Sequence, residues 1–175
     1  TRMGLPVPPG FTITTEACRH FLVQDAPPTE LTGQVHDALH RLENATGRKL
    51  GSPAEPLLLS VRSGAKFSMP GMMETVLDIG LNDETVGAVA ALTDDPHFAW
   101  DSYRRLIQMF GKTVLGVDSE LFEERLVEAV ASSGSSADVE LPVATLMDLV
   151  GVYKEIIRVE TGQDFPQDPD RQLMM

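Results

Sequence analysis

The sequence predicts an α+β protein: a small mixed α/β part up to about Leu81, followed by a mostly helical part over residues 82–175. Three observations predict it. Leu57, Leu58, Leu59, Ser60 and Val61 form a compact apolar run between Pro56 and Gly64, with the length of a buried strand. Thr75, Val76, Leu77, Asp78 and Ile79 read as a second strand stopped at Gly80. Beyond Asn82 no strand pattern recurs, and apolar residues return at helical spacing behind one capping residue after another.

Taken in order, GLPVPPG is stiffened by three prolines and ends in a turn glycine. Phe11, Thr12 and Ile13 read as a short strand, and Thr14 as the cap of a helix through Glu16, Ala17, Phe21 and Leu22. Pro27 and Pro28 end that region. Thr29 starts a helix whose stripe is Leu31, Val35, Ala38, Leu39 and Leu42, with Gly47 as its stop. The glycine- and methionine-rich stretch 63–73 is a loop between the two strands. In the helical part, Asn82 or Asp83 caps a helix ending near Thr93, and Pro96 suits the first turn of the next. There Ala99, Tyr103, Leu106, Ile107 and Phe110 share a face. Asp118 caps a third helix with Phe122, Leu126, Ala129 and Val130 inward. A flexible linker, SSGSSAD, leads to Pro142 and a last helix striped by Leu146, Leu149, Val150, Tyr153, Ile156 and Ile157.

Bulk properties narrow the function. The 175 residues carry 14 basic and 26 acidic side chains, a net charge of −12. Such a field repels polyanions and argues against nucleic acid as a partner, while leaving room for a small phosphate ligand at a local basic group. A single cysteine, Cys18, excludes an internal disulfide and points to a cytoplasmic protein; it is expected as a small buried residue on a helix. No apolar run reaches the length of a membrane span. The opening TRMGLPVPPG has neither a signal-peptide pattern nor an initiator methionine, and is expected to be cut from a longer chain.

The first candidate for chemistry is SVRSG. A strand delivers Arg62 into a glycine-containing loop, and its planar fork of donors suits phosphate oxygens. Ser63 and Gly64 add a hydroxyl and an open backbone N–H, and the loop runs on through Lys66, Ser68 and Gly71 toward closure over a phosphate chain. The plainer alternative pairs Arg62 with one of the many carboxylates. His36 and His40 in HDALH imitate a zinc motif, but Asp37 stands where glutamate is needed and no third ligand follows, so a polar helix flank is the expectation. Met69, Met72 and Met73 either line a base-binding slot or pack the loop. Arg104 and Arg105 read as a solvated helix face, with Asp101 paired to Arg105 four residues on. Ser63 lacks the context of a nucleophile.

Four segments together carry a resemblance. GLPVPPGFTITTEAC, LLLSVRSGAKFSMPGMMETVLDIGLND, FAWDSYRRLIQMFG and DFPQDPDRQL, in that order, resemble the N-terminal part of pyruvate, phosphate dikinase. The core SVRS is shared with phosphoenolpyruvate synthase and rifamycin phosphotransferase; the extension SMPGMMET, with DSYRRLIQMFG and FPQDP, is what points to the dikinase. That family interconverts ATP, phosphate and pyruvate with AMP, pyrophosphate and phosphoenolpyruvate, through a phosphohistidine on a swivelling domain. The resemblance implies that residues 1–81 are the first-lobe portion of an ATP-grasp nucleotide-binding domain. Residues 82–175 would be a helical insertion subdomain and a truncated return segment. It matches Arg62 to the arginine that contacts ATP phosphates, and Gly71 and Met73 to a loop near the nucleotide, with Lys66 in the same loop.

The implied cofactors are ATP and Mg2+, with the magnesium carboxylates expected in a second lobe after Met175. The implied partners are ATP and the other domains, the phosphohistidine domain among them, in a parent expected to be a homodimer. None of His20, His36, His40 or His97 lies in the family's histidine motif, so the chain alone is expected to be inactive. Two rival readings stand beside this one. The helical part is a docking module presenting Arg104, Arg105 and the acidic helix 120–128, or the parent is a sibling phosphotransferase of the phosphoenolpyruvate synthase type.

Overall fold

The computed structural model describes residues 7–64, 74–134 and 141–175, and their fold class is the α+β expected. Two compact units divide the chain, Thr1–Lys49 and Leu50–Met175.

In the first unit, residues 7–14 form no strand, and Phe11 and Ile13 are exposed. The expected strand there fails because an extended segment is a strand only when a neighbour takes up its N–H and C=O groups, and no pairing partner is found for these among the described residues. Helix α1 (Thr15–Gln24) begins after Thr14 as expected, but the Thr14 side chain caps nothing and no residue of α1 is buried. Cys18 is therefore on a helix yet exposed, contrary to the burial expected of it. Helix α2 (Leu31–Thr46) buries Val35, Ala38, Leu39 and Leu42 of its stripe. Gly47 ends it at φ 70°, its N–H donating to the Glu43 carbonyl, a left-handed closure that costs glycine no Cβ clash.

The second unit begins with short strands. The apolar run read as one buried strand is two: β1 (Lys49–Leu50) and β2 (Pro56–Leu57) form one two-stranded sheet, and β3 (Leu59–Arg62) with β4 (Thr75–Ile79) forms another. Leu57 is buried, whereas in β3 Leu59 is half-buried and Ser60, Val61 and Arg62 are exposed. The β3–β4 pair is antiparallel, with Leu59 opposite Ile79, Val61 opposite Val76 and Arg62 opposite Thr75, and a bulge between Leu59 and Val61. Asp78 sits in the left-handed region at φ 61°. At Gly80 (φ 111°) a Cβ would meet the Leu57 carbonyl oxygen at 2.8 Å, so only glycine lets the end of β4 pass the backbone there.

The helices follow their caps. Asn82 Oδ1 accepts from the backbone N–H of Glu84 and Thr85 at the head of α3 (Thr85–Thr93). Asp95 accepts from Phe98 N–H at the head of α4 (Pro96–Thr113), with Pro96 in the first turn. Asp118 does the same for α5 (Ser119–Ser133), and Pro142 precedes α6 (Val143–Thr161). A short last helix, α7 (Pro169–Met174), which the sequence patterns do not announce, is capped by Asp168.

Helix α4 is the hub. Tyr103, Leu106, Ile107 and Phe110 are fully buried on one face, packed with Val76 and Ile79 of β4, Phe122 of α5, and Leu146, Tyr153 and Ile157 of α6. The Phe165 ring stands edge-on to both Tyr103 (6.1 Å) and Phe110 (5.5 Å), seating the stretch before α7 on the hub.

The arginine pair departs from expectation. Arg104 is 2 % exposed, with Nε and Nη2 donating to Asp101 Oδ1 at 2.9 and 2.6 Å and Nη1 to Gln108 Oε1 at 3.2 Å. Only Arg105 lies on the surface, paired with Asp101 Oδ2 at 2.7 Å as its spacing predicts. A guanidinium one position along the helix from the surface row turns into the bundle because a carboxylate and an amide are there to receive it. Among the described residues no helix is long and apolar enough to cross a membrane.

Candidate functional site

Arg62 is the last residue of β3 and is exposed. Alternation along the hairpin sets its direction. Val76 turns into the core, so its neighbour Thr75, directly opposite Arg62, lies on the face away from it, together with the 38 % exposed Leu77. Beyond Arg62 the two strands are drawn together once more. Ser63 donates to the Glu74 carbonyl from both its backbone N–H (3.0 Å) and its Oγ (3.2 Å), forming a neck where the two strands part. Among the described residues no carboxylate pairs with Arg62, so the plainer alternative weighed for it finds no support there. Lys66, Gly71 and Met73, and with them Ser68, Met69 and Met72, lie outside the described residues.

Four residues beyond Glu74, the sequence patterns missed a strained carboxylate. Asp78 combines a left-handed backbone with a carboxyl that burial pushes above its usual 3.8. Below pH 3.8 the group is protonated folded or unfolded, and contributes nothing to pH dependence. As pH rises past 3.8 the unfolded chain ionises first, so the native state holds the extra proton and stability falls until the raised native value is passed. Asp78→Asn, which tolerates the same backbone without the charge, is expected to gain on the order of 1 kcal/mol at pH 7 and to flatten that fall. Urea titrations from pH 3 to 7 check it, and an unchanged pH slope would refute the assignment.

Beyond β4, the backbone from Gly80 to Asp83 is satisfied largely by side chains. Thr85 Oγ1 donates to the Gly80 carbonyl and accepts from Asn82 N–H, both at 2.9 Å. The other partners come from far along the chain. Gln172 Oε1 accepts from Gly80 N–H, and its Nε2 donates to the Leu81 and Pro166 carbonyls. Gln167 Oε1 accepts from Asp83 N–H, and its carbonyl accepts from Asn82 Nδ2. Tyr103 Oη donates to Asp83 Oδ1, and burial pushes its phenol far above the usual range. Lys154 closes the group, paired with Asp83 and lying 5.0 Å above the Tyr103 ring centre.

Of the two helical histidines, His40 meets Glu43 Oε2 at 3.2 Å, and among the described residues no group of three His, Cys, Asp or Glu is placed to hold a metal. A separate open cleft of about 420 Å³ lies wholly within the first unit, lined by Phe11, Ile13, Ala17, Val35, Ala38 and Arg41 among others.

Fold and site define a class in broad terms: an α+β segment that presents an exposed arginine at a strand end, beside a glycine- and methionine-rich stretch of sequence. No protein-family model matches the chain. Individual relatives do. The chain is 51 % identical over 98 % of its length to pyruvate, phosphate dikinase of Rhizobium meliloti (strain 1021). It is 48 % identical over 98 % to the chloroplastic pyruvate, phosphate dikinase 1 of Zea mays, and 47 % identical over 98 % to pyruvate, phosphate dikinase 2 of Oryza sativa subsp. japonica. Over nearly all of its length the chain is thus similar to a part of proteins named pyruvate, phosphate dikinase. It spans 18 to 19 % of the length of these curated relatives.

Proposed function

We propose that the chain is part of the ATP-binding domain of a pyruvate, phosphate dikinase, built on an ATP-grasp fold, and that Arg62 contacts the phosphates of ATP. Residues 1–81 would contribute to the first lobe, and residues 82–175 would be a helical insertion on it. One observation carries the reading. In a chain of net charge −12, Arg62 stands exposed at a strand end, facing away from the core, and no described carboxylate pairs with it. Five N–H donors held in a plane suit a polyphosphate. Lys66, Gly71 and Met73 would complete the contact from the adjoining loop.

Phosphoryl transfer asks for positioning and charge neutralisation more than for covalent chemistry, and an arginine supplies both. Mg2+, when bound, would neutralise phosphate charge; the described residues offer no carboxylate cluster to hold it, and its ligands are assigned to the second lobe. The phosphohistidine domain, a homodimeric parent and a cytoplasmic setting belong to the same proposal. The rival docking surface on the helical part loses Arg104, which is buried.

The test is Arg62→Ala in the complete polypeptide containing this segment, assayed by half-reaction. The ATP-dependent half-reaction is expected to slow by about a hundredfold while the pyruvate-dependent half-reaction is unchanged. Arg62→Lys, which keeps the charge and loses the fork, should recover only part of the rate. An undiminished ATP half-reaction in Arg62→Ala would remove the assignment.

A further inference from the structure

We propose that Gln172 is a positioning residue for Arg62, acting through β4; its link to nucleotide use rests on the reading of Arg62 above. The hairpin that carries Arg62 has little to hold it. Residues Leu59–Arg62 form a four-residue strand with a bulge, and its one pairing partner among the described residues is β4. A two-stranded ladder is marginal by itself. The position of Arg62 therefore depends on how β4 is fixed to the rest of the unit.

Two anchors fix it. One is apolar, Val76 and Ile79 in the core. The other is the Gln172 amide, which is 3 % exposed and reaches β4's exit from 92 positions along the chain. Its Oε1 accepts from Gly80 N–H at 2.9 Å, and its Nε2 donates to the Leu81 carbonyl at 2.9 Å and the Pro166 carbonyl at 2.8 Å. Both amide hydrogens are used, and only this orientation works. Turned over, the amide would set donor against donor at Gly80 and acceptor against acceptor at Leu81. The side chain thus takes the place of a third strand, locking the end of β4 where Gly80 already leaves no room for a Cβ beside Leu57. Thr75, the cross-strand partner of Arg62, is the first residue of that same strand. Glutamate at 172 keeps the size but sets carboxylate oxygens against two carbonyls, so the lock should open without a cavity.

The experiment has two arms. In this 175-residue chain, amide hydrogen exchange is followed by NMR for Gln172→Glu and for Gln172→Met, which keeps the volume and adds no charge. Exchange of the hairpin amides, Ser63 N–H included, is expected to quicken by about tenfold, with the amides of α4 and α6 staying within about twofold. Quickening confined to Gly80 and Leu81, or spread evenly through α4 and α6, would overturn the proposal. In the complete polypeptide, the same variants are expected to raise KM for ATP by about tenfold with kcat of the ATP half-reaction held within about twofold. A merely structural loss would lower the rates of both half-reactions and leave KM unchanged. Arg62→Ala is measured beside them. If it leaves ATP use intact, the reading of Arg62 fails while the exchange result stands on its own. If it abolishes ATP use and the Gln172 variants leave KM for ATP unchanged, the proposal fails.

Discussion

Phe122→Ala is expected to destabilise the second unit by about 3–5 kcal/mol and to loosen α5 before anything else unfolds. Helix α5 has one fully buried side chain, and it is Phe122. Its ring packs edge-on against Tyr153 at 4.9 Å, and the Tyr153 hydroxyl donates to the Phe122 carbonyl at 2.9 Å. The rest of the helix contributes partly buried Leu121, Leu126, Ala129 and Val130 and an outer row of glutamates. The site cannot easily collapse into the space left behind, because the neighbouring backbone is already close: a Cβ on Gly111 of α4 would lie 2.7 Å from the ring. Urea unfolding by circular dichroism gives the total, and amide exchange in α5 gives the order of events. A loss below about 1 kcal/mol would mean that α5 is held by something other than this ring.

The second large effect is electrostatic. Asp101→Ala is expected to cost about 3 kcal/mol, the range for removing one partner of a buried ion pair. Arg104 cannot follow its charge into water, since its side chain is 3 % exposed. Gln108 would remain as an acceptor, which satisfies a donor but does not balance a charge. Arg105 also loses its pairing with Asp101, but it is half exposed and its share should be small. Two comparisons check the assignment. Asp101→Asn keeps one acceptor oxygen, enough for Arg104, and should cost less than alanine, and the loss should change little between low and high salt, as a buried pair is poorly screened. A loss that vanishes in high salt would mark the interaction as a surface pair instead.

Much of this architecture is legible in the sequence because it is local. Asp95 with Pro96, Asp118, Asn82 and Gly47 announce helix ends through groups within a few residues of themselves. The stripes of α2, α4 and α6 announce their buried faces in the same way. What escapes is whatever depends on a partner remote in sequence. The five-residue apolar run looks like one strand, and only the three-dimensional neighbourhood of Leu58 breaks it in two. Phe11 and Ile13 have strand chemistry but no neighbour to pair with among the described residues. Arg104 and Arg105 are adjacent cations, and nothing in their spacing says that Gln108 and Asp101 will draw one of them inside.

At the candidate site, the strand-to-loop placement of Arg62 is readable from the apolar run and the glycine that follows. The role of Gln172 is not, because an amide near the end of the sequence gives no sign of where its partners lie.

The polar clasp on Gly80–Asp83 also sets an order of events in time. Until residues 167 and 172 arrive, the Gly80 and Asp83 N–H groups and the Leu81 carbonyl must stay in contact with water, so the end of β4 cannot be sealed. A chain emerging from a ribosome can wind α3, α4 and α5 as it is made, because their hydrogen bonds are local. The hairpin bearing Arg62 gains its fixed end only after those helices, when the segment FPQDPDRQ reaches it. The strand that pairs with Arg62 is thus fastened by residues far along the chain from it.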